Sequence, residues 1–169
     1  MLKTRTFMQK QYEEKLFKHI KENNIKAEQI FFEELVDHKE NVLKTIKEKE
    51  INFKDIVKTI VFIDLNKELE YGNSVIGIVS SEARVNKEKL RKMSNSKVKI
   101  ASADQVLILT SYPAGGVPPF GFKARFYLDE TLKNKNIVYA GGGSIRTLIK
   151  TSINEILKAN KAEIVNIIE

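Results

Sequence analysis

The stretch Ile56-Val-Lys-Thr-Ile-Val-Phe-Ile-Asp64 decides the fold, because its β-branched and aromatic side chains predict a strand. A similar run covers Ser74 to Ser81, and a polar segment containing Gly72-Asn73 separates the two runs. Two β-rich runs joined in this way are typical of an antiparallel hairpin. The sequence therefore predicts a hairpin at the centre of the chain.

Before the hairpin, apolar residues repeat at helical spacing. Those of the first segment recur every four residues among Lys and Glu, and they are Met8, Tyr12, Leu16 and Ile20. This pattern predicts an amphipathic helix that ends near Asn23-Asn24. A strand is predicted next, from Ile30 to Leu35, and then a second helical stripe at Val42, Leu43 and Ile46.

After the hairpin, capped helices and β-rich runs are both present. Two helices are predicted, from Asn86 to Met93 and from Ser102 to Thr110, the second with Ser102 or Asp104 as its N-cap. Strands are predicted at Lys123 to Leu128, Asn136 to Ala140, Ile145 to Thr151 and Ile164 to Ile168. Ser152 and Glu155 predict a capping box for a last helix from Ile153 to Lys158.

Strands outnumber helices in this pattern, and several of them adjoin as hairpins. That order argues against a doubly wound parallel sheet, in which strands and helices alternate. The expected fold is therefore α+β, a mixed, curved β-sheet or partial barrel with helices packed outside. A length of 169 residues suits one hydrophobic core, so we expect one domain over residues 1–169.

Composition limits the classes of function. The chain carries 29 Lys+Arg against 22 Asp+Glu, and its formal charge of +7 favours a polyanion such as nucleic acid, although solvated helix faces explain the excess equally well. The absence of cysteine excludes disulfides and thiolate nucleophiles. No apolar run approaches the ~20 residues that cross a bilayer, and no signal core follows Met1, so a soluble cytoplasmic protein without a membrane partner is expected.

The two histidines offer little catalytic equipment. His19 and His38 both lie in the N-terminal third, without clustered carboxylates, and no Gly-x-Ser-x-Gly sequence follows them. A Ser-His-Asp triad and a zinc site are therefore not expected. The glycine clusters match neither a dinucleotide-binding nor a phosphate-binding spacing. We expect no metal and no cofactor.

Three places could carry chemistry, and each has a structural alternative. Lys58 lies among apolar strand residues, where it borders a pocket or is simply solvated. The loop from Ser111 to Phe122 holds all three prolines and three of the eight glycines. It is either a rigid surface connection or a rigid cradle whose backbone N–H groups approach a ligand carbonyl. For Gly141-Gly142-Gly143, a turn between two strands is the simpler interpretation.

The order of these motifs resembles that of a known family. The motifs are Lys58-Thr-Ile-Val-Phe62, the Gly-x-x-x-Pro of Gly115 to Pro119, and Tyr139-Ala-Gly-Gly-Gly143, followed by a strand and a capped helix. Together they resemble the YbaK/ProX family of aminoacyl-tRNA deacylases, over about His38 to Lys158. The resemblance implies a free-standing, trans-acting editing hydrolase, related to the insertion domain of bacterial prolyl-tRNA synthetases.

The resemblance also implies site residues. Lys58 and Gly115 occupy the family's catalytic positions. The implied substrate-binding residues are Thr110, Tyr112, Gly116, Val117, Pro118, Pro119, Gly121, Gly142 and Gly143. One departure is that an acidic residue of some relatives has no counterpart in the stretch Ser144 to Lys150. The implied substrate is a small amino acid, such as alanine or cysteine, on a proline tRNA, with prolyl-tRNA synthetase as an associated partner.

Basic residues are candidates for contacts with tRNA phosphates, which need positive charge but no reading of sequence. They are Lys87, Lys89, Arg91 and Lys92 in one predicted helix, and Lys123, Arg125 and Arg146 further on. A solvated face is the alternative for this helix. The alternative to a deacylase is a non-catalytic module that binds aminoacyl-tRNA or a small acyl ligand. A general RNA-binding protein is less favoured, because no pattern of stacking aromatic residues is present.

Overall fold

The computed structural model of the chain describes residues 7–32, 43–44 and 46–169. Within the continuous described ranges the regular helices are α1 (Phe7–Glu22), α2 (Lys87–Ser94), α3 (Ala103–Thr110) and α4 (Ile153–Asn160). Residues 43–44 and 46–48 are also helical, in agreement with the second predicted stripe, whose Val42 lies outside the described residues. Short 3-10 turns cover Phe53–Asp55 and Glu130–Leu132.

Eight strands complete the described part of the chain. They are β1 (Glu28–Phe31), β2 (Val57–Asp64), β3 (Ser74–Ser80), β4 (Val98–Ile100), β5 (Arg125–Asp129), β6 (Val138–Gly141), β7 (Thr147–Thr151) and β8 (Glu163–Val165). The predicted strand at Ile30 is present as β1, but the part of that prediction that runs to Leu35 falls beyond the described residues. No helix of the described chain is long and apolar enough to span a bilayer.

The strands form two sheets. One has the order β4-β2-β3-β5-β8 and the other the order β1-β7-β6. The predicted hairpin is confirmed, because β2 and β3 pair antiparallel from Val57 opposite Ser80 to Ile63 opposite Ser74. The β3–β5 and β5–β8 pairs are parallel, so the larger sheet is mixed. The α+β class is thus confirmed, and the strands of the described residues do not close into a barrel.

The alternation of side chains along β2 separates two apolar clusters. Val57 and Val61 point into the main core, which also receives apolar residues of α1, α3, α4 and the smaller sheet. Phe62 points to the other face, where it packs with Leu90 of α2 and Val98 of β4. Because successive strand residues face opposite sides, both faces of the larger sheet are covered.

The first half of β2 lies at an edge that β4 does not reach. The β4 strand pairs only with Phe62–Asp64, at the far end of β2. Beside the beginning of β2, an isolated parallel bridge between Ile56 and Tyr139 brings the start of β6 alongside instead. The two sheets therefore meet next to residues 57–60, and this junction positions the site.

Side-chain caps fix the starts of α3 and α4. Ser102 and Gln105 form a reciprocal capping box at α3, so Ser102 rather than Asp104 is the cap. At α4, Ser152 accepts a hydrogen bond from the Glu155 N–H as predicted. The Glu155 carboxylate, however, accepts from the N–H of Lys26 instead of returning to Ser152. The predicted capping box is therefore only half formed, because that carboxylate ties α4 to the chain before β1.

Candidate functional site

A cavity of about 280 Å³ opens at the junction of the two sheets. The first half of β2, the loop after α3, and the facing ends of β6 and β7 enclose it. Its lining residues are Val57, Lys58, Thr59, Ile60, Gly115, Val117, Gly141 and Leu148. The structure thus brings together Lys58 and Gly115, which are far apart in sequence and were both predicted as site residues.

Two polar side chains of β2 reach this cavity without a protein partner. Lys58 is partly buried, and its ammonium makes no hydrogen bond or ion pair with the described residues. The Thr59 hydroxyl is buried and also has no hydrogen-bond partner there. Buried polar groups normally find partners, since leaving one unsatisfied costs about 1 to 3 kcal/mol. The residues that line the cavity therefore include one unpaired cation and one unpaired buried hydroxyl.

The loop opposite offers backbone donors. The Gly116 N–H is occupied, because it donates to the Pro113 carbonyl at 3.0 Å. The N–H groups of Gly115 and Val117 have no hydrogen-bond acceptor among the described residues. Gly115 has a φ of +84°, a conformation that glycine adopts without strain. Two free amide donors around a fixed turn can polarise a carbonyl oxygen.

The two glycine clusters pack directly against each other. The Gly143 N–H donates to the Gly116 carbonyl at 2.8 Å. A Cβ on Gly116 would lie 2.6 Å from backbone atoms of Ser144, and one on Gly141 would lie 2.2 Å from the Val117 carbonyl oxygen. Side chains at these glycines would therefore push the loop and the β6–β7 turn apart. Gly141 is the last residue of β6, Gly142 and Gly143 begin the turn to β7, and the triple glycine is also a packing surface for the loop.

Several predicted substrate-binding residues do not line this cavity. Gly142 and Gly143 belong to the interlocked turn, and Gly116 faces Ser144. Pro118 and Pro119 are buried behind the loop, and Gly121 lies near the Tyr112 hydroxyl. Of the nine residues in that set, only Val117 is in the lining.

Thr110 and Tyr112 act inside the loop rather than on the cavity. Both are fully buried, and the Thr110 hydroxyl donates to the Val106 carbonyl and accepts from the Tyr112 N–H. Burial, followed by the proximity of Tyr71, raises the pKa of the Tyr112 phenol well above its usual value. That phenol is therefore neutral at physiological pH, and its ring supports the base of the loop.

Two side chains of α1 pack outside the same loop. The Lys15 ammonium lies 4.5 Å from the centre of the Tyr112 ring, and partial burial lowers the pKa of this lysine. His19 stacks on Phe120, and its pKa is lowered by burial, partly offset by Glu22. Neither residue is in the cavity lining. Among the described residues, no group of three His, Asp or Glu side chains could hold a metal ion.

The basic residues predicted to contact tRNA divide into two sets. Lys89 donates to Asn166 and to the Ile168 carbonyl, Arg91 pairs with Glu88, and Arg125 pairs with Asp64. Lys89 and Arg125 thereby join distant parts of the chain, whereas the Arg91–Glu88 pair lies within α2. Lys87, Lys92 and Lys123 are exposed. Arg146 is the last residue of the β6–β7 turn and is partly buried, and its backbone N–H donates to the Ser144 hydroxyl. Contact with tRNA stays a prediction for all of them.

Sequence reasoning missed four residues of the lining, Val57, Thr59, Ile60 and Leu148, and it interpreted Gly141 as part of a turn. The three on β2 flank Lys58, but the sequence contains no signal that β4 stops short of them. The proximity of Gly141 and Leu148 depends on how the smaller sheet packs against the larger one. A polar Thr beside the lone Lys was the one local signal available.

The chain matches a known protein family. A family model for the aminoacyl-tRNA editing domain matches residues 37–159. The chain is also 33% identical over 88 residues to the uncharacterized protein YwhH of Bacillus subtilis (strain 168). That alignment covers 50% of the chain and 56% of YwhH, so the match spans little more than half of this relative.

Solved structures share the fold. The crystal structure of hypothetical protein APE2540 superimposes with a TM-score of 0.77 at 24% identity, covering 92% of this chain and 99% of that one. A crystal structure described as "a putative trans-editing enzyme for prolyl tRNA synthetase" gives a TM-score of 0.75 at 22% identity, with coverages of 94% and 97%. At these identities the likeness establishes the architecture alone.

Proposed function

Because the chain belongs to the aminoacyl-tRNA editing domain family, we propose that it is a trans-acting hydrolase that deacylates mischarged aminoacyl-tRNA. The observation that carries this proposal is the shared cavity. Lys58, whose ammonium is unpaired, and Gly115 and Val117, whose amides have no acceptor among the described residues, line the same space. An aminoacyl ester presents a carbonyl next to a ribose and a phosphate, and these groups match the two kinds of donor.

The reaction is the hydrolysis of one ester bond. Water attacks the ester carbonyl carbon, the bond to the ribose oxygen breaks, and a proton from the water passes to that oxygen. The products are a free amino acid and an uncharged tRNA. Negative charge develops on the carbonyl oxygen, where the amides of Gly115 and Val117 stabilise it. Lys58 anchors the terminal ribose or phosphate, so that the ester is held in a reactive position.

The cavity suits a small aminoacyl group. Its apolar walls are formed by Val57, Ile60, Val117 and Leu148, and its volume is about 280 Å³. A cavity of this volume has room for a small aminoacyl ester together with part of its ribose. We propose alanine or cysteine on a proline tRNA as the substrate. The structural neighbour described for prolyl tRNA synthetase supports this choice, and it makes that synthetase the proposed partner.

The test is single-turnover hydrolysis of a panel of aminoacyl-tRNAs. The panel includes Ala-, Cys-, Ser- and Pro-tRNA(Pro), together with correctly charged Ala-tRNA(Ala). We expect fast release of alanine or cysteine from tRNA(Pro) and slow release from the other substrates. A protein that binds charged tRNA without accelerating hydrolysis would instead be the non-catalytic binding module.

Two glycine variants test whether deacylation depends on the loop at Gly115. Gly115→Ala places a Cβ 2.8 Å from Ile145 at a φ of +84°, so the loop must move. Losing one oxyanion donor costs on the order of 10² to 10³ in rate, and we expect a loss of that size. Gly72→Ala is the matched control, because Gly72 also has a positive φ (+94°) but lies in the β2–β3 turn. Equal activity of the two variants would contradict the assignment of Gly115.

Phosphate contacts predict a dependence on salt. Each phosphate neutralised by a lysine releases counterions, so the affinity for tRNA falls as salt increases, with a slope set by the number of contacts. We expect Lys87→Ala and Lys123→Ala to reduce this slope. A slope unchanged by either variant would place the tRNA on another surface.

A further inference from the structure

A buried carboxyl group, that of Glu13, contacts the β6–β7 turn at Ser144, and neither residue lines the cavity. Glu13 of α1 is only 3% exposed, and Ser144 is fully buried. The Ser144 hydroxyl donates to a Glu13 carboxylate oxygen at 2.8 Å, and it accepts from the Arg146 N–H at 3.1 Å. Burying a carboxylate is costly, and a core can be stabilised as well by apolar residues. The chain nevertheless places this pair at one particular turn.

The pair is joined to the cavity through the main chain. Ser144 contacts Gly116 so closely that a Cβ on Gly116 would lie 2.6 Å from its backbone nitrogen. The neighbouring Gly143 N–H holds the Gly116 carbonyl at 2.8 Å. On its other side Gly143 rests on α1, because a Cβ there would lie 2.8 Å from the Tyr12 carbonyl oxygen. The helix, the turn and the loop are therefore stacked in direct contact.

Gly115 is held by the same turn. A Cβ on Gly115 would lie 2.8 Å from Cγ2 of Ile145, the residue after Ser144. The free amides of Gly115 and Val117 flank Gly116, which is fixed by hydrogen bonds at both its N–H and its carbonyl. A displacement of Ser144 must therefore change where these two amides point.

We propose that Glu13 and Ser144 are positioning residues, whose buried hydrogen bond anchors the β6–β7 turn to α1 and so fixes the Gly115–Val117 amides at the cavity. The consequence for hydrolysis rests on the proposed function, whereas the consequence for the loop does not. The pair touches no substrate. It acts through Gly116 and Gly143.

The fold contains a matched control at the other end of β2. There the buried Ser96 hydroxyl donates to the Asp64 carboxylate at 3.0 Å, again between a buried serine and a buried acid. Ser96→Ala therefore also removes a hydrogen bond from a buried serine to a buried acid, together with the bond that Ser96 accepts from Arg125, at the far end of β2 from the cavity. Comparison of the two variants separates positioning from a general loss of stability.

The first measurement is amide hydrogen exchange at Gly116 and Gly143 in wild type, Ser144→Ala and Ser96→Ala. Both amides are hydrogen-bonded within the stack, and we expect Ser144→Ala to exchange them at least about tenfold faster through local opening. Ser96→Ala is expected to stay within about twofold of wild type. Should Ser144→Ala not fold, Ser144→Cys keeps the volume with only a weak donor, and the same increase is expected. Equal exchange in the serine variants would overturn the proposal.

The second measurement is single-turnover deacylation by the same variants, with Glu13→Gln and Glu13→Ala added. We expect Ser144→Ala and Glu13→Ala to lose about tenfold in rate or more, with tRNA affinity within about twofold of wild type, because only the orientation of the amides changes. Glu13→Gln retains an acceptor oxygen and is expected to keep most of the activity.

Faster amide exchange in Ser144→Ala with an unchanged rate of deacylation would overturn the positioning role. If the wild-type protein has no deacylase activity, the proposed function is refuted. The hydrogen-exchange measurement would then still test whether Glu13 and Ser144 anchor the turn.

Discussion

The two ends of β2 hold polar groups in opposite ways. At the far end, the Asp64 carboxylate accepts from Ser96, from Arg125 and from the N–H of Asn66. At the near end, Lys58 and the hydroxyl of Thr59 have no partner among the described residues, although both are removed in part from water. The polar group at the end of β2 thus has hydrogen-bond partners, whereas those near its beginning have none among the described residues.

The difference follows from which neighbour each end has. The β4 strand covers the far end, and the adjoining chain supplies Ser96 to Asp64. The near end has no strand from the same sheet on that side, and it faces a loop whose amides are also free. Buried polar groups are ordinarily paired, so a cluster of unpaired ones indicates a place for a ligand. Groups that stabilise the fold and groups available to a ligand therefore lie at opposite ends of a single strand.

The largest effect is expected for Lys58→Ala. Removal of the group that anchors the substrate should lower the single-turnover rate of deacylation at least about 100-fold. Stability should change by less than about 0.5 kcal/mol, because the ammonium has no partner to lose. The measurements are hydrolysis of mischarged tRNA(Pro) and urea unfolding. Lys99→Ala is the control, since Lys99 is an exposed strand lysine opposite Ile63 at the far end.

Activity near the wild-type level in Lys58→Ala would contradict the role of Lys58 in binding the substrate. A large loss in Lys99→Ala would also count against it, because the effect would then reflect the positive charge of the surface in general. Repeating both assays at two salt concentrations distinguishes these causes, since a general surface effect is screened.

The next effect is on stability, at the other end. Asp64→Ala leaves Arg125 without its acid, and the Asp64 side chain is only 2% exposed. Loss of one partner of a buried pair costs about 3 to 5 kcal/mol, and the partial exposure of Arg125 reduces this to about 2 kcal/mol. The deacylation rate of the folded protein should stay within about twofold of wild type. If Asp64→Ala unfolds in urea like wild type, or if its activity is strongly reduced, the assignment of Asp64 to stability alone is wrong.

The fold was largely predictable because its signals are local. The β-branched run at Ile56–Asp64 and the polar turn at Gly72-Asn73 specify a hairpin over adjacent residues. Ser102 likewise identifies the start of α3. The parallel pairing of β3 with β5 was not predictable in the same way, because it depends on a crossover and on contacts between distant segments.

The site was predictable only in part. Lys58 and Gly115 were found through the order of motifs, and the structure places both at one cavity. The role of Gly143 as a packing surface for Gly116 has no local signal, because any tight turn uses glycine in the same way. Glu13 reads from the sequence as an ordinary acidic residue of an amphipathic helix. Its burial becomes visible only when α1 is packed on the turn.

The smallest effect, and the sharpest test of the comparison, is expected for Thr59→Val. The change removes a buried hydroxyl that has no partner and keeps the shape of the side chain. An unsatisfied hydroxyl costs stability, so the variant should be about 1 kcal/mol more stable than wild type. If the hydroxyl binds the substrate, the same variant should deacylate about fivefold more slowly, as expected for the loss of one neutral hydrogen bond. Stability and activity would then move in opposite directions.

Ser74→Ala provides the matched control for this prediction. The Ser74 hydroxyl is also buried without a partner among the described residues, but Ser74 lies opposite Ile63, at the far end of the hairpin. Its removal should stabilise the protein by a similar amount and leave the rate unchanged. Should both variants gain stability and keep full activity, the unpaired hydroxyl of Thr59 would be a simple packing defect, as at Ser74. The near end of β2 would then owe its function to Lys58 and the loop amides alone.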